Sequence, residues 1–149
     1  MQVYRITLSK WSGELIASGN PARWNSKGKY VIYTAASRAL ACLENVVHRS
    51  GEGLSSNYKV LTVEIPSKIK MAEIDPANLP DGWQHWTNYY KCQAFGDQWC
   101  NQNQTAVLKV PSAIISEESN YLINPTHDDF LKIKIVDRTD FLFDHRLLL

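Results

Sequence analysis

The chain of 149 residues has the length of one ordinary domain and can bury a substantial core, so a single domain spanning residues 1–149 is expected. Hydrophobic residues at 44% and charged residues at 21% make a globular composition, and a formal net charge of +1 supplies no field that would favour nucleic acid or an anionic membrane. Cys42, Cys92 and Cys100 are odd in number and form no close ligand pair, which argues against a disulfide framework or a zinc site and for a reducing, cytoplasmic setting.

The chain opens on the strand-like "QVYRITL", with neither a signal peptide nor a membrane span in view. After Gly28, Tyr30, Val31, Ile32 and Tyr33 read as a buried strand, because β-branched and aromatic residues follow turn formers. A helix is expected next. Ser37 is its N-cap, and Leu40, Leu43 and Val47 recur at the i, i+3, i+7 spacing of one apolar face. Glu44 falls at the edge of that stripe, an expensive place for a charge.

"HRSGEGLSSNY" reads as a flexible loop leading to "YKVLTVEI", a half-buried strand with Leu61, Val63 and Ile65 on one face. The segment from Pro80 to Asn103 is aromatic and polar, a mixture of helix and loop, with Trp83, Trp86, Tyr89, Tyr90 and Trp99 as core and rim. "TAVLKVPSAII" is a strand interrupted by Pro111, which has no N–H for the ladder. In "LKIKIVDRTDFLF", Leu131, Ile133 and Ile135 alternate with Lys132 and Lys134 as a second half-buried strand. One or two helices and five or six strands, without a regular strand-helix alternation or a Gly-rich phosphate loop, give an α+β fold and disfavour a Rossmann architecture.

Four landmarks in order, "YRI", "ARWNSKGKYVIYTAASRALACLE", "GDQWCNQNQTAVLKVPSAII" and "ESNYLINPTHDDF", give the chain a resemblance to the RES domain family over nearly its full length. The resemblance implies a fold like that of ADP-ribosyltransferases, mixed or antiparallel sheet with flanking helices. It further implies the toxin of a bacterial toxin-antitoxin pair, an NAD-degrading glycohydrolase or phosphorylase with NAD as substrate and no bound cofactor or metal. The implied partner is an Xre-type antitoxin whose helix-turn-helix makes any DNA contact, with room for a toxin dimer in the complex.

Carried over by position, the family's arginine, glutamate and serine become Arg23, Glu44 and Ser112, with Arg5 and Tyr33 as further NAD-pocket residues. In that reading Glu44 stabilises positive charge growing on the ribose as nicotinamide leaves. Arg5 and Arg23 grip the pyrophosphate with forked, charge-assisted hydrogen bonds. Tyr33 stacks on the nicotinamide ring, and Ser112 fixes a ribose or amide group. Each has a plainer reading as well: Glu44 as a salt-bridged surface acid, Arg23 in a cation-π pair with Trp24, Arg5 on a solvated strand face, Tyr33 as a core aromatic and Ser112 as a strand end. His48, four residues after Glu44, is expected to orient the acid rather than act in catalysis. Asn124 and His127 in "NPTH" match a turn signal. The alternatives to an NAD-degrading toxin are a non-catalytic NAD-binding or protein-interaction module on the same fold, and a protein ADP-ribosyltransferase.

Overall fold

The computed structural model describes residues 1–48 and 57–148. Seven strands build one mixed sheet: β1 (Gln2–Leu8), β2 (Ile32–Ala35), β3 (Tyr58–Glu64), β4 (Met71–Glu73), β5 (Val107–Pro111), β6 (Ser119–Ile123) and β7 (Lys134–Phe141). Their order is β4-β5-β6-β2-β1-β3-β7, antiparallel throughout except for the parallel β4-β5 pair. Among the described residues two α-helices, α1 (Arg38–His48) and α2 (Tyr89–Gln102), complete the α+β fold expected from the sequence.

Period-two alternation distributes the strands' side chains between two faces. Val3, Ile32, Leu61, Val63, Val107 and Ile123 gather on one, under Phe130 and Ile133. On the other, α1 lays Leu40 and Ala41 against Ile6, Ala35 and Val60, while α2 lays Cys92 and Trp99 against Leu108, Val110 and Leu122. β3 lies between β1 and β7 with both faces covered, so Val60, Leu61, Thr62 and Val63 are all buried, and the half-buried strand inferred from alternation is corrected.

Other expectations shift in register. The second strand begins at Ile32 rather than Tyr30, which lies exposed. Ser37 caps α1 as expected, its Oγ accepting from Leu40 N at 3.0 Å, but Val47 is 60% exposed and the helix buries Leu40 and Ala41 instead. The stripe is rotated because residues 41, 44, 45 and 48 line a cleft. Leu131 is exposed on a 3₁₀ turn (Asp128–Lys132), so β7 starts only after Ile133 has been buried. β5 ends at Pro111 rather than resuming beyond it. Most of the loop read from "HRSGEGLSSNY", residues 49–56, lies outside the described residues.

The central feature is a parting of the sheet. β1 and β2 share a single registered pair, Tyr4 with Ala35, whereas β1 and β3 share seven. Tyr4 and Arg5 point to opposite faces of β1, as do Tyr33 and Thr34 of β2, yet all four line one cleft. That is geometrically open to them only where the strands separate.

Candidate active site

The cleft between β1 and β2 has a volume of about 360 Å³ and is closed by α1 on one side and by the segment from Ser18 to Trp24 on another. Glu44 projects into it from α1. Its Oε1 accepts from Asn120 Nδ2 at 2.6 Å and from Ser112 Oγ at 3.2 Å, and its Oε2 pairs with His48 Nε2 at 3.1 Å. A carboxylate offers about four acceptor positions, so three donors leave one on Oε2. The side chain keeps 20% of its surface. The acid at the edge of the apolar stripe is therefore anchored from three elements.

Burial by itself would raise the pKa of Glu44, but hydrogen bonds from His48, Asn120 and Ser112, together with the charge of protonated His48, outweigh it and hold the pKa below 4.5. A folded-state pKa below the unfolded value means that ionised Glu44 contributes stability fully above the ordinary carboxylate range. That contribution is lost as pH falls through the lower folded value. A carbon-13 carboxyl titration of Glu44, identified by the signal missing from Glu44→Gln, should have its midpoint below 4.5. A midpoint displaced upward would mean that the three donors do not reach it in solution.

Ser112 is fully buried behind Glu44 and does not line the cleft. Its hydroxyl donates to Glu44 and accepts from Ile114 N and Ile115 N at 3.1 and 3.2 Å, so the turn after β5 fixes its direction. Arg23 is 8% exposed, and its Nη1 and Nη2 donate to the carbonyls of Trp83 and Gln84. Its guanidinium lies 4.5 Å from the Tyr89 ring centroid, making Tyr89 and Trp83, not Trp24, its aromatic partners. Two of its five N–H groups are thus spent on the backbone.

Arg5 sits in the parting of the sheet with Nη1 donating to Tyr33 O at 3.3 Å, and among the described residues no carboxylate pairs with it. Burial lowers its pKa from the ordinary arginine value, yet a guanidinium stays charged in proteins. Among the described residues it is a cation without a carboxylate partner, and it lines the cleft. Tyr33 offers its ring to the cleft wall, while its hydroxyl donates to Asn25 Oδ1 at 2.6 Å and accepts from Trp24 N at 3.1 Å. Burial drives that phenol's pKa well above its usual value. Arg5, Arg23, Tyr33 and Glu44 therefore share one cleft, with Ser112 acting on it through Glu44.

Asn124 and His127 stand apart and serve turns. Asn124 Oδ1 accepts from Thr126 N, and His127 Nδ1 accepts from Asp129 N to cap the 3₁₀ turn. Sequence reasoning passed over Asn120. It fixes Glu44 and also presents Oδ1, the buried side-chain polar atom without a hydrogen-bond partner among the described residues, beside the cleft. Its amide orientation is chemically determined, since an ionised carboxylate can only accept and so requires the NH₂ toward Glu44. The signal was present: an asparagine inside the apolar strand "SNYLI", where that residue type is disfavoured.

Asn25 was also passed over. Its Nδ2 donates to the carbonyls of Asn20, Ser26 and Lys29, folding the polar segment that walls the cleft. Among the described residues no group of three His, Cys, Asp or Glu side chains is arranged to hold a metal ion, and no helix is long and apolar enough to cross a membrane.

Comparison with known proteins adds an independent finding. The sequence pattern described as "RES domain" matches residues 2–144. The chain is 43% identical over 128 residues to a protein of Sphingobium sp. (strain YBL2) named "Prs ADP-ribosylating toxin", covering 85% of this chain and 80% of that one. It is 36% identical over 155 residues to "Toxin Res" of Photorhabdus laumondii, covering 99% and 97%. It is 32% identical over 153 residues to "Toxin Res" of Yersinia enterocolitica, covering 99% of each.

Proposed function

Because this chain belongs to the RES domain family of toxins, whose fold is ADP-ribosyltransferase-like, we propose that it depletes cellular NAD by cleaving the bond between nicotinamide and ribose. The observation that carries this reading is the state of Glu44: ionised, held by three donors, with one acceptor position open to a cleft that also contains the Arg5 guanidinium, which has no carboxylate partner among the described residues. Carboxylate and guanidinium match the ribose and phosphates of a dinucleotide. Glu44, held by Asn120, accepts from a ribose hydroxyl, Arg5 meets the pyrophosphate, and the remaining N–H groups of Arg23 extend that grip. The Tyr33 ring offers a flat surface to nicotinamide.

The C–N bond breaks with its electron pair passing to the pyridinium nitrogen, so nicotinamide departs neutral and needs no strong acid. Positive charge gathers on the ribose, and the fixed carboxylate of Glu44 stabilises it in a site where no reorganisation is required. Water or phosphate then takes the vacated carbon. NAD is a substrate here, and the reaction as drawn calls for no bound cofactor.

A toxin that drains a shared redox carrier in the cytoplasm needs restraint in the cell that makes it, and an Xre-type helix-turn-helix antitoxin fits that need. A carboxylate from such a partner could occupy the Arg5 site in place of phosphate. Protein ADP-ribosylation is the second reading, favoured by the name of the Sphingobium relative.

Incubation of purified protein with adenine-labelled NAD, with and without phosphate and a bacterial extract, should release nicotinamide and reveal whether the label ends as ADP-ribose, its phosphate ester or modified protein. Arg5→Ala should raise the NAD concentration needed for half-maximal turnover by ~10-fold or more, since a charge-assisted hydrogen bond is worth about 1.5–3 kcal/mol. Failure to consume NAD would move the assignment toward a non-catalytic module, and an Arg5→Ala protein with unchanged NAD dependence would remove Arg5 from the NAD site.

A further inference from the structure

Glu44 separates two clefts, not one. Behind it lies a second opening of about 310 Å³, lined by Val47, Gln84, His85, Trp86, Tyr89 and Ile114, and the two clefts meet at Arg23, Glu44, His48 and Ala113. His48 bridges them chemically: its Nε2 faces Glu44 Oε2 at 3.1 Å and its Nδ1 faces the Tyr89 hydroxyl at 3.2 Å. When the ring is neutral, the carboxylate, which can only accept, places its proton on Nε2, and this leaves Nδ1 as an acceptor and makes Tyr89 the donor. The directions of this chain are therefore set by the ionisation of Glu44.

Resting on the NAD reading above, we infer that the attacking nucleophile approaches through the second cleft and that Tyr89 and His48 take its proton. The balance is complete. The bond from ribose to nicotinamide breaks with its electron pair going to the nicotinamide nitrogen. A nucleophile O–H or N–H supplies the new bond to the ribose carbon. Its proton passes to the Tyr89 oxygen as the Tyr89 proton moves to His48 Nδ1, giving an imidazolium beside Glu44. His48, whose side chain is 46% exposed, then releases the proton to solvent.

The surroundings favour each step. Arg23 over the Tyr89 ring stabilises negative charge developing on the phenol oxygen, and Glu44 stabilises the imidazolium. The same carboxylate thus serves the ribose cation from one cleft and the departing proton from the other.

Two substitutions preserve the surroundings. Tyr89→Phe keeps the ring beneath Arg23, and His48→Gln keeps a donor in reach of Glu44. Each should lower kcat for NAD consumption by ~10²-fold, within the usual contribution of a positioned general base, with KM for NAD nearly unchanged. Sodium azide provides the decisive contrast, because the azide anion attacks carbon without surrendering a proton. It should restore turnover to both variants and yield the ADP-ribosyl azide. Unchanged kcat in both variants would overturn the relay, as would lost turnover that azide fails to restore, which would make the pair mere supports for Glu44. Wild-type protein inert toward NAD would overturn the functional reading and the relay together, whereas an active wild type confines any failure to the relay.

Discussion

Replacement of Glu44 by glutamine is expected to cut NAD consumption by ~10²–10³-fold, the usual cost of removing one well-placed electrostatic group, with the fold retained. Glutamine keeps an oxygen for Asn120 and Ser112, so the anchoring of the side chain survives. It loses the charge that meets the ribose cation, and its NH₂ now faces His48 Nε2, forcing the imidazole to reverse its donor and acceptor nitrogens. Thermal denaturation alongside an NAD assay checks both halves. A folded Glu44→Gln protein with near-normal consumption would remove this residue from the mechanism. In cells, expression of the wild type should stop growth and lower NAD while the variant is harmless.

The second large effect concerns stability. Gly96→Ala should lower the melting temperature by roughly 10 °C, corresponding to at least ~3 kcal/mol of overpacking in a domain of this size. Helix propensity alone forecasts the opposite sign, because glycine in a helix interior is less stable than alanine by roughly 0.5–1 kcal/mol. The reversal is geometric. A Cβ at position 96 would lie 1.7 Å from the Trp24 carbonyl oxygen, so either α2 or the cleft wall must move.

The consequences reach the site, since one face of α2 is bolted to that wall. Tyr89 stacks under Arg23, Gln93 Nε2 donates to Ala22 O at 2.9 Å, Gly96 abuts Trp24, and Asp97 Oδ1 accepts from Ser26 N at 2.9 Å. These are positions i, i+4, i+7 and i+8, the stripe of one helical face. Gly96→Ala should therefore weaken NAD binding as well as folding. A calorimetric melt at or above the wild-type temperature would show that the wall yields and that the close approach is not required.

Much of this molecule follows from local pattern. The composition of "QVYRITL" and of the run around Leu61 and Val63 dictates strands because β-branched and aromatic residues suit a pleated, covered surface. Ser37 dictates the start of α1 through a bond to a backbone N–H three residues on, and the α+β class follows from the mixture of periods. The ordered landmarks around Arg23, Glu44, Ser112, Arg5 and Tyr33 pointed to one neighbourhood, and the fold brings those residues together around the cleft and Glu44.

What only the tertiary structure decided is the task of each residue there, because hydrogen-bond partners come from strands and loops remote in sequence. Ser112 and Asn120 lie 68 and 76 positions from Glu44, and no periodicity links them. Arg23 looked like a free phosphate grip until the carbonyls of Trp83 and Gln84 occupied part of its fork. The stripe of α1 turned toward Ala41 because β1 and β2 part beyond their single pair, Tyr4 with Ala35, leaving a cleft where a continuous sheet would have demanded an apolar face. Helical period fixes which residues share a face; what that face meets is fixed by where two strands cease to pair.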